Sequence, residues 1–300
     1  MTKTCSELFQ GMDCTIIGNG NEEVAGLAFR SDEVAPGDMF FCIVGTVVDG
    51  HSFAQDAIDR GATSLVAERK VYLADATDVT EVVVSDSRKA MAYASANYYD
   101  NPSRAFSLVG ITGTNGKTTT TYLVEHIASV AGNRCGVIGT VGNKIAGAME
   151  HAERTTPESP DLQKLFARMR DAGCTVVAME VSSHALDLRR TWDTDFAVTA
   201  FTNLTQDHLD YHHTFDDYFE AKALLFSKDY PARRVISIDG SWGRELLRRC
   251  TAAGDEVITT GFDVSAQIHP VEVTYEAART KAVLEVRGTR IAVEYPLVGR

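Results

Sequence analysis

Two different rhythms of apolar and polar positions run along this chain of 300 residues. In the first hundred, short β-like runs (Met39 to Val44, Ser64 to Ala67, Glu81 to Val84) alternate with a helical stretch around Phe53 to Arg60. That mixture predicts a small α/β unit, and the turn cluster Asp100-Asn101-Pro102-Ser103 marks its boundary. From Ser107 onward strand-like and helix-like runs take turns. The strand-like runs are Ser107 to Thr112, Cys135 to Gly139, Thr175 to Val181, Phe196 to Phe201, Arg234 to Ile238 and Glu256 to Thr260. Helical runs include Asp161 to Ala172, Phe215 to Phe226 and Trp242 to Ala253. Such alternation predicts an α/β fold with a mostly parallel sheet flanked by helices. Beyond Gln267 the runs turn hairpin-like. The reading is two domains, 1–104 and 105–300.

Composition excludes more than it assigns. A formal charge of −12 with no dense Lys/Arg run argues against a nucleic-acid surface. Cys5, Cys14, Cys42, Cys135, Cys174 and Cys250 form no C-x-x-C pair, so neither a disulfide framework nor a zinc site is indicated. They read as thiols of a reducing cytosol. The N-terminus lacks the basic and apolar regions of a signal peptide, and no apolar run is long enough to insert into a membrane. The expectation is a soluble, cytoplasmic protein; the sequence is silent on oligomeric state.

Candidate chemistry concentrates in Gly110-Ile-Thr-Gly-Thr-Asn-Gly-Lys-Thr-Thr119, between a strand-like run and a helical pattern. Strand, glycine-rich turn and helix are the context of a phosphate-binding loop. Backbone N–H groups and the helix start can surround an anion. Lys117 can reach the outer phosphates, and the Thr118 hydroxyl suits a Mg²⁺ position. Ile111 holds the first glycine slot of the strict G-x-x-x-x-G-K-[ST] pattern, so the match is incomplete. Loop and flanks together predict ATP binding.

Three other segments carry candidates. Glu180 ends an apolar run, where a bare charge is costly and a metal partner is favoured. Asp207 to His213 holds three histidines and two aspartates, compatible with a metal or acid–base site and equally with an exposed polar loop. Spacing does not resolve which histidine matters. Lys222 lies in an amphipathic helical pattern, and by pattern alone reads as a surface lysine packing its apolar stem. Thr155-Thr156-Pro157 precedes a helical run and suits an anionic ligand or ordinary capping.

Taken together, the runs ITGTNGKTTT, TTPESPDLQ, MEVSSHALDLRR and FTNLTQDHLDYHHTFDDYFEAKALLF resemble the Mur ligase family, specifically the members that add the third amino acid of the peptidoglycan precursor. The resemblance spans essentially the whole chain. It implies a uridine-binding N-terminal domain, an ATP-binding central domain, and a C-terminal domain not contained in these 300 residues. The implied activity is ATP-dependent amide formation between UDP-N-acetylmuramoyl-L-alanyl-D-glutamate and a diamino acid, through an acyl phosphate. The diamino acid, meso-diaminopimelate or L-lysine, is chosen by the family's third domain. By resemblance, Gly113, Thr114, Asn115, Gly116, Lys117, Thr118 and Thr119 bind ATP phosphates. Thr118, Glu180, His208 and Lys222 (as a carbamate) hold Mg²⁺, with Lys117, Glu180, His208 and Lys222 catalytic. Thr155, Thr156, Ser182, Leu188 and Arg190 match positions on the muramoyl dipeptide. Phe29, Ser31, Thr46, Val47 and Val48 match the uridine side. Arg30-Ser31-Asp32 inverts the charges of the family's usual D-S-R, and Leu188 stands where a glutamine is common. A folylpolyglutamate-synthetase-like ligase shares the loop-and-carbamate logic; a non-catalytic nucleotide-binding fragment is the other alternative.

Overall fold

The computed structural model describes residues 2–45, 48–71 and 78–296. The chain divides into two compact units. One comprises Met1–Ala105, Thr156–Gly173 and Ala185–Thr194; the other comprises Phe106–Thr155, Cys174–His184 and Asp195–Arg300. The turn cluster at 100–103 thus lies beside a change of unit, whereas nothing in the hydrophobic pattern distinguishes the two later segments that join the first.

The first unit is built on a five-stranded sheet in the order Thr15–Ile17, Thr80–Val83, Ser64–Ala67, Met39–Phe41, Leu27–Ala28. The last four strands are parallel and the first is antiparallel. Alternation along the strands feeds two cores. Met39, Phe41, Val66 and Val82 point to one, with Leu8, Ala90, Met91 and Ala94. Phe40, Leu65 and Ala67 point to the other, with Ala54 and Ala57. Burial on both faces explains why these strands read as unbroken apolar runs. The helix Ser87–Tyr98 escaped the pattern because its buried face is mostly alanine and serine, with Met91 as its large apolar residue. Its start was marked all the same: the Asp86 carboxylate accepts from the N–H groups of Arg88 and Lys89 at 3.0 Å each.

The second unit contains an eleven-stranded sheet. Its middle is parallel, in the order Cys135–Gly139, Val176–Glu180, Ser107–Thr112, Val198–Phe201, Arg233–Ser237, Val257–Thr260. Both margins are antiparallel. Gly142–Ile145 and Ala148–Glu150 extend one side; Ile268–Tyr275, Thr280–Val286 and Thr289–Tyr295 form the expected hairpins on the other. The strand order places Ser107–Thr112 with its successors on either side, so the connections diverge around its C-terminal end and open a crevice there. Among the described residues no helix is long and apolar enough to cross a membrane.

Candidate active site

Four neighbouring strands deliver the site from their C-terminal ends. Ser107–Thr112 leads into the glycine-rich turn and then the helix Lys117–Val130. Gly113 has φ +146°, and a Cβ there would stand 1.9 Å from Thr202 Oγ1, so no side chain fits. The turn is pinned by the segment after Val198–Phe201. Thr114 N–H donates to Asn203 O at 2.9 Å, Asn115 N–H to Asn203 Oδ1 at 2.9 Å, and Thr202 Oγ1 to Asn115 O at 2.7 Å. Asn203 is a functional candidate that pattern reasoning passed over, its amide hidden in a polar loop.

The cavity at this turn measures about 320 Å³ and is lined by Thr114 to Thr118, Thr140, Thr155, Glu180, Ser182, Ser183, His208 and Lys222. Most predicted residues of the second unit therefore meet in one place. Gly113 contributes its carbonyl from behind the lining, and Thr119 sits exposed in the helix's first turn. Thr140, Ser183 and Tyr218 were not anticipated. The Tyr218 hydroxyl lies 3.2 Å from Thr114 Oγ1, beneath the turn.

Lys117 Nζ curls back to donate to Gly113 O at 2.9 Å and Thr114 O at 2.8 Å. Burial lowers its pKa, against the raising influence of Glu180 and Asp207. Lys222 corrects the surface reading of its helix. The helix Phe215–Ala223 buries Tyr218, Phe219, Ala221 and Lys222 together, and Lys222 is 1% exposed. Its Nζ donates to Gly113 O at 2.9 Å and lies 4.4 Å from the Tyr218 ring centroid. Desolvation, with Lys117 nearby, brings its pKa down to about 7, although Asp207 opposes the shift.

Glu180 is 1% exposed. Its carboxylate accepts from Thr118 Oγ1 at 2.9 Å, Thr140 N–H at 2.9 Å and Thr140 Oγ1 at 3.2 Å. The strand end thus turns a buried carboxylate toward the helix start. Thr118 and Glu180 offer two hard oxygens at the cavity wall, a donor set that suits Mg²⁺ retaining waters and phosphate oxygens. Among the described residues no three His, Cys, Asp or Glu side chains form a metal cluster by themselves.

The histidines separate by environment. His208 lines the cavity, with φ +51° and its ring 3.4 Å from the Asp207 carboxylate. His212 is buried and pairs with Ser183 Oγ at 2.9 Å. His184 packs against Tyr211, ring centroids 4.1 Å apart.

The remaining predicted residues divide between the units. Thr155 and Ser182 belong to the second, and Thr155 Oγ1 lies 3.0 Å from Thr140 Oγ1. Thr156, Leu188 and Arg190 belong to the first. There Arg190 is paired with Glu158 at 2.8 Å and donates to Thr156 O at 3.1 Å. The first unit also carries a cavity of about 400 Å³ whose lining includes Phe29, Ser31 and Val48. Thr46 and Val47 lie outside the described residues. Arg30 and Asp32 bond each other through two contacts, at 2.9 and 3.2 Å, so the inverted charges still form a pair.

Several known proteins are similar to this chain. Residues 111–300 match the Mur ligase middle domain, and 23–111 match the Mur ligase family, catalytic domain. A protein of Geobacillus thermodenitrificans named UDP-N-acetylmuramoyl-L-alanyl-D-glutamate--2,6-diaminopimelate ligase is 50% identical over 93% of this chain and 57% of its own length. One of the same name from Clostridium botulinum is 43% identical over 87% of this chain and 53% of its own. The chain therefore spans a little over half the length of these relatives. A solved structure of a ligase with that name superposes with a TM-score of 0.84 at 26% identity, covering 100% of this chain and 61% of the other. Mycobacterium tuberculosis folylpolyglutamate synthase, solved with ADP and AMPPCP, shares the fold over 69% of this chain and 54% of its own, with TM-score 0.56 and 17% identity.

Proposed function

Since the chain belongs to the Mur ligase family, we propose that it carries the nucleotide- and precursor-binding parts of an ATP-dependent ligase of peptidoglycan synthesis. The reaction joins 2,6-diaminopimelate, the amino acid in the relatives' names, to UDP-N-acetylmuramoyl-L-alanyl-D-glutamate. The observation that carries this reading is the convergence of Lys117, Thr118, Glu180 and buried Lys222 on one cavity.

In the proposed first step an oxygen of the D-glutamate γ-carboxylate bonds the γ-phosphorus of ATP, and the bond to the bridging oxygen of ADP breaks. The diaminopimelate amine then attacks the acyl carbon; phosphate leaves and the amine nitrogen gives up a proton. Two anions must meet in the first step, and the electrostatic cost is what the site offsets. Lys117 swings from the Gly113 and Thr114 carbonyls to the phosphates. The turn's N–H groups and the start of the helix Lys117–Val130 hold the phosphate oxygens. Thr118 and Glu180 would hold Mg²⁺, which neutralises phosphate charge when bound, with His208 at the same cavity wall. Burial brings the Lys222 pKa down to about 7, which eases loss of its proton, and a neutral amine can take up CO₂ as a carbamate. That would exchange a repelling cation for an anionic group able to hold a metal. Thr155, Thr156, Ser182, Leu188 and Arg190 serve the muramoyl dipeptide; Phe29, Ser31 and 46–48 serve the uridine.

The test is turnover by a ligase of the relatives' full length that carries this chain. ADP release should require both the UDP-muramoyl dipeptide and diaminopimelate. Release independent of either, or turnover with a folate acceptor, would contradict the assignment.

A further inference from the structure

Thr140 follows the strand Cys135–Gly139 and lines the cavity. Both of its donors point at one group: its N–H reaches Glu180 Oε1 at 2.9 Å and its hydroxyl Glu180 Oε2 at 3.2 Å. The residue before it makes room for that contact. A Cβ on Gly139 would lie 2.2 Å from Glu180 Oε1 and would displace the carboxylate from this position. Gly139 and Thr140 together thus form a cradle that fits a carboxylate in one orientation, with Oε2 turned toward Thr118.

The direction of the hydrogen bonds follows from simple inventory. An ionised carboxylate only accepts, so Thr118 and Thr140 spend their hydroxyl protons on Glu180. With the Thr140 proton on Glu180, the contact of 3.0 Å between Thr140 Oγ1 and Thr155 Oγ1 runs from Thr155 to Thr140. Thr155 is left presenting lone pairs to the cavity. It meets a donor on the ligand, an amide N–H or a hydroxyl, rather than a carboxylate or phosphate.

We propose that Thr140 is a positioning residue that orients Glu180 for the cation and, by taking up the Thr155 proton, links the cation end of the cavity to its precursor end. This rests on the Mg²⁺-nucleotide reading of the cavity. Because the hydroxyl acts on the cation only through Glu180, its removal should cost a factor of about 3 to 10 in affinity, the range of one ordinary hydrogen bond.

The test titrates a non-hydrolysable ATP analogue into the chain by calorimetry, with and without Mg²⁺, for wild type, Thr140→Val and Thr140→Ser. Thr140→Val keeps the shape and the N–H but loses the hydroxyl. It should bind the Mg²⁺-free analogue as wild type does and lose most of the gain from Mg²⁺, while Thr140→Ser recovers it. The UDP-muramoyl dipeptide should likewise bind Thr140→Val several-fold more weakly and Thr140→Ser normally. A full Mg²⁺ gain in Thr140→Val, or equal losses in both variants, would overturn the positioning role. Unchanged dipeptide affinity in Thr140→Val would remove the link to Thr155. A wild-type chain that binds the analogue with no gain from Mg²⁺ contradicts the nucleotide reading itself, and the assignment of Thr140 with it.

Discussion

Lys117 and Lys222 donate to the same acceptor: each Nζ lies 2.9 Å from the carbonyl oxygen of Gly113. Two ammonium groups on one carbonyl repel each other, and burial lowers the pKa of both, more for Lys222, which is 1% exposed while Lys117 is half-buried. This explains why it is Lys222 whose pKa falls to about 7. The pair is tense without an anion, and either phosphates at Lys117 or a carbamate at Lys222 would relieve it.

The consequence is a pH dependence with a definite sign. The folded pKa of Lys222 lies below its unfolded value, so below about pH 7 both states hold the proton and the cost of the buried ammonium is fully present. Between about 7 and the ordinary lysine value of 10.5 the unfolded chain holds a proton that the native state has shed, and stability rises with pH. Thermal unfolding of Lys222→Met, which cannot titrate, should show a gain over wild type at pH 6 that shrinks by pH 9. With ¹³C-bicarbonate, a carbamate resonance should strengthen from pH 6 to 8 and be missing in Lys222→Met. A resonance that persists in the variant would place the carbamate on another lysine.

Gly139→Ala should damage the site from behind. Its methyl would sit 2.2 Å from Glu180 Oε1, so the carboxylate must rotate off Thr118 or the strand end must move. Overpacking of this kind costs about 1–3 kcal/mol. Chemical denaturation should report that loss, and Mg²⁺ should no longer improve binding of an ATP analogue. A variant with wild-type stability and Mg²⁺ response would show that Glu180 is not held as described.

Arg234 sets the framework at the start of the strand Arg233–Ser237. It is 2% exposed and donates to the carbonyls of Leu225, Ser227 and Tyr230 at 3.2, 3.1 and 2.8 Å, with Asp255 at 3.4 Å. These bonds close the turn that follows the Lys222 helix. Arg234→Ala leaves buried carbonyls without this donor and should cost about 3 kcal/mol or more. A loss below about 1 kcal/mol in denaturant unfolding would mean that water replaces the guanidinium freely.

Much of this arrangement was legible beforehand, for identifiable reasons. The parallel strands announce themselves because both of their faces are buried, and the phosphate turn because Gly113, Gly116 and Lys117 fall between a strand and a helix. Lys222 shows the limit of periodicity. A lysine on an apolar helix face reads as snorkelling, and only the Gly113 carbonyl, 109 positions away in sequence, reveals what it meets. Thr140 and Asn203 were illegible for the same reason, since their partners, Glu180 for one and Thr114 and Asn115 for the other, lie far away in the sequence. The strands Gly142–Ile145 and Ala148–Glu150 are short and joined tightly through Ala146, at φ +48°, and Gly147. They hold too few apolar residues to register as a pattern.

Lys117→Ala should remove the cation that the turn keeps ready. In a ligase of the relatives' full length, loss of such electrostatic stabilisation predicts a fall in kcat of about 100-fold or more, with the fold intact by circular dichroism. Turnover near the wild-type rate would contradict the role given to this residue.

The most direct test of the account is calorimetric binding of UDP-N-acetylmuramoyl-L-alanyl-D-glutamate to the 300-residue chain, with Mg²⁺ and an ATP analogue present. Saturable binding at one site per chain is the predicted result, because the residues assigned to uridine, muramoyl dipeptide and phosphates all lie within this sequence. No binding in a sample shown to be folded and to bind the nucleotide would contradict the assignment of Thr155, Ser182, Arg190 and the Phe29–Ser31 cavity to the precursor.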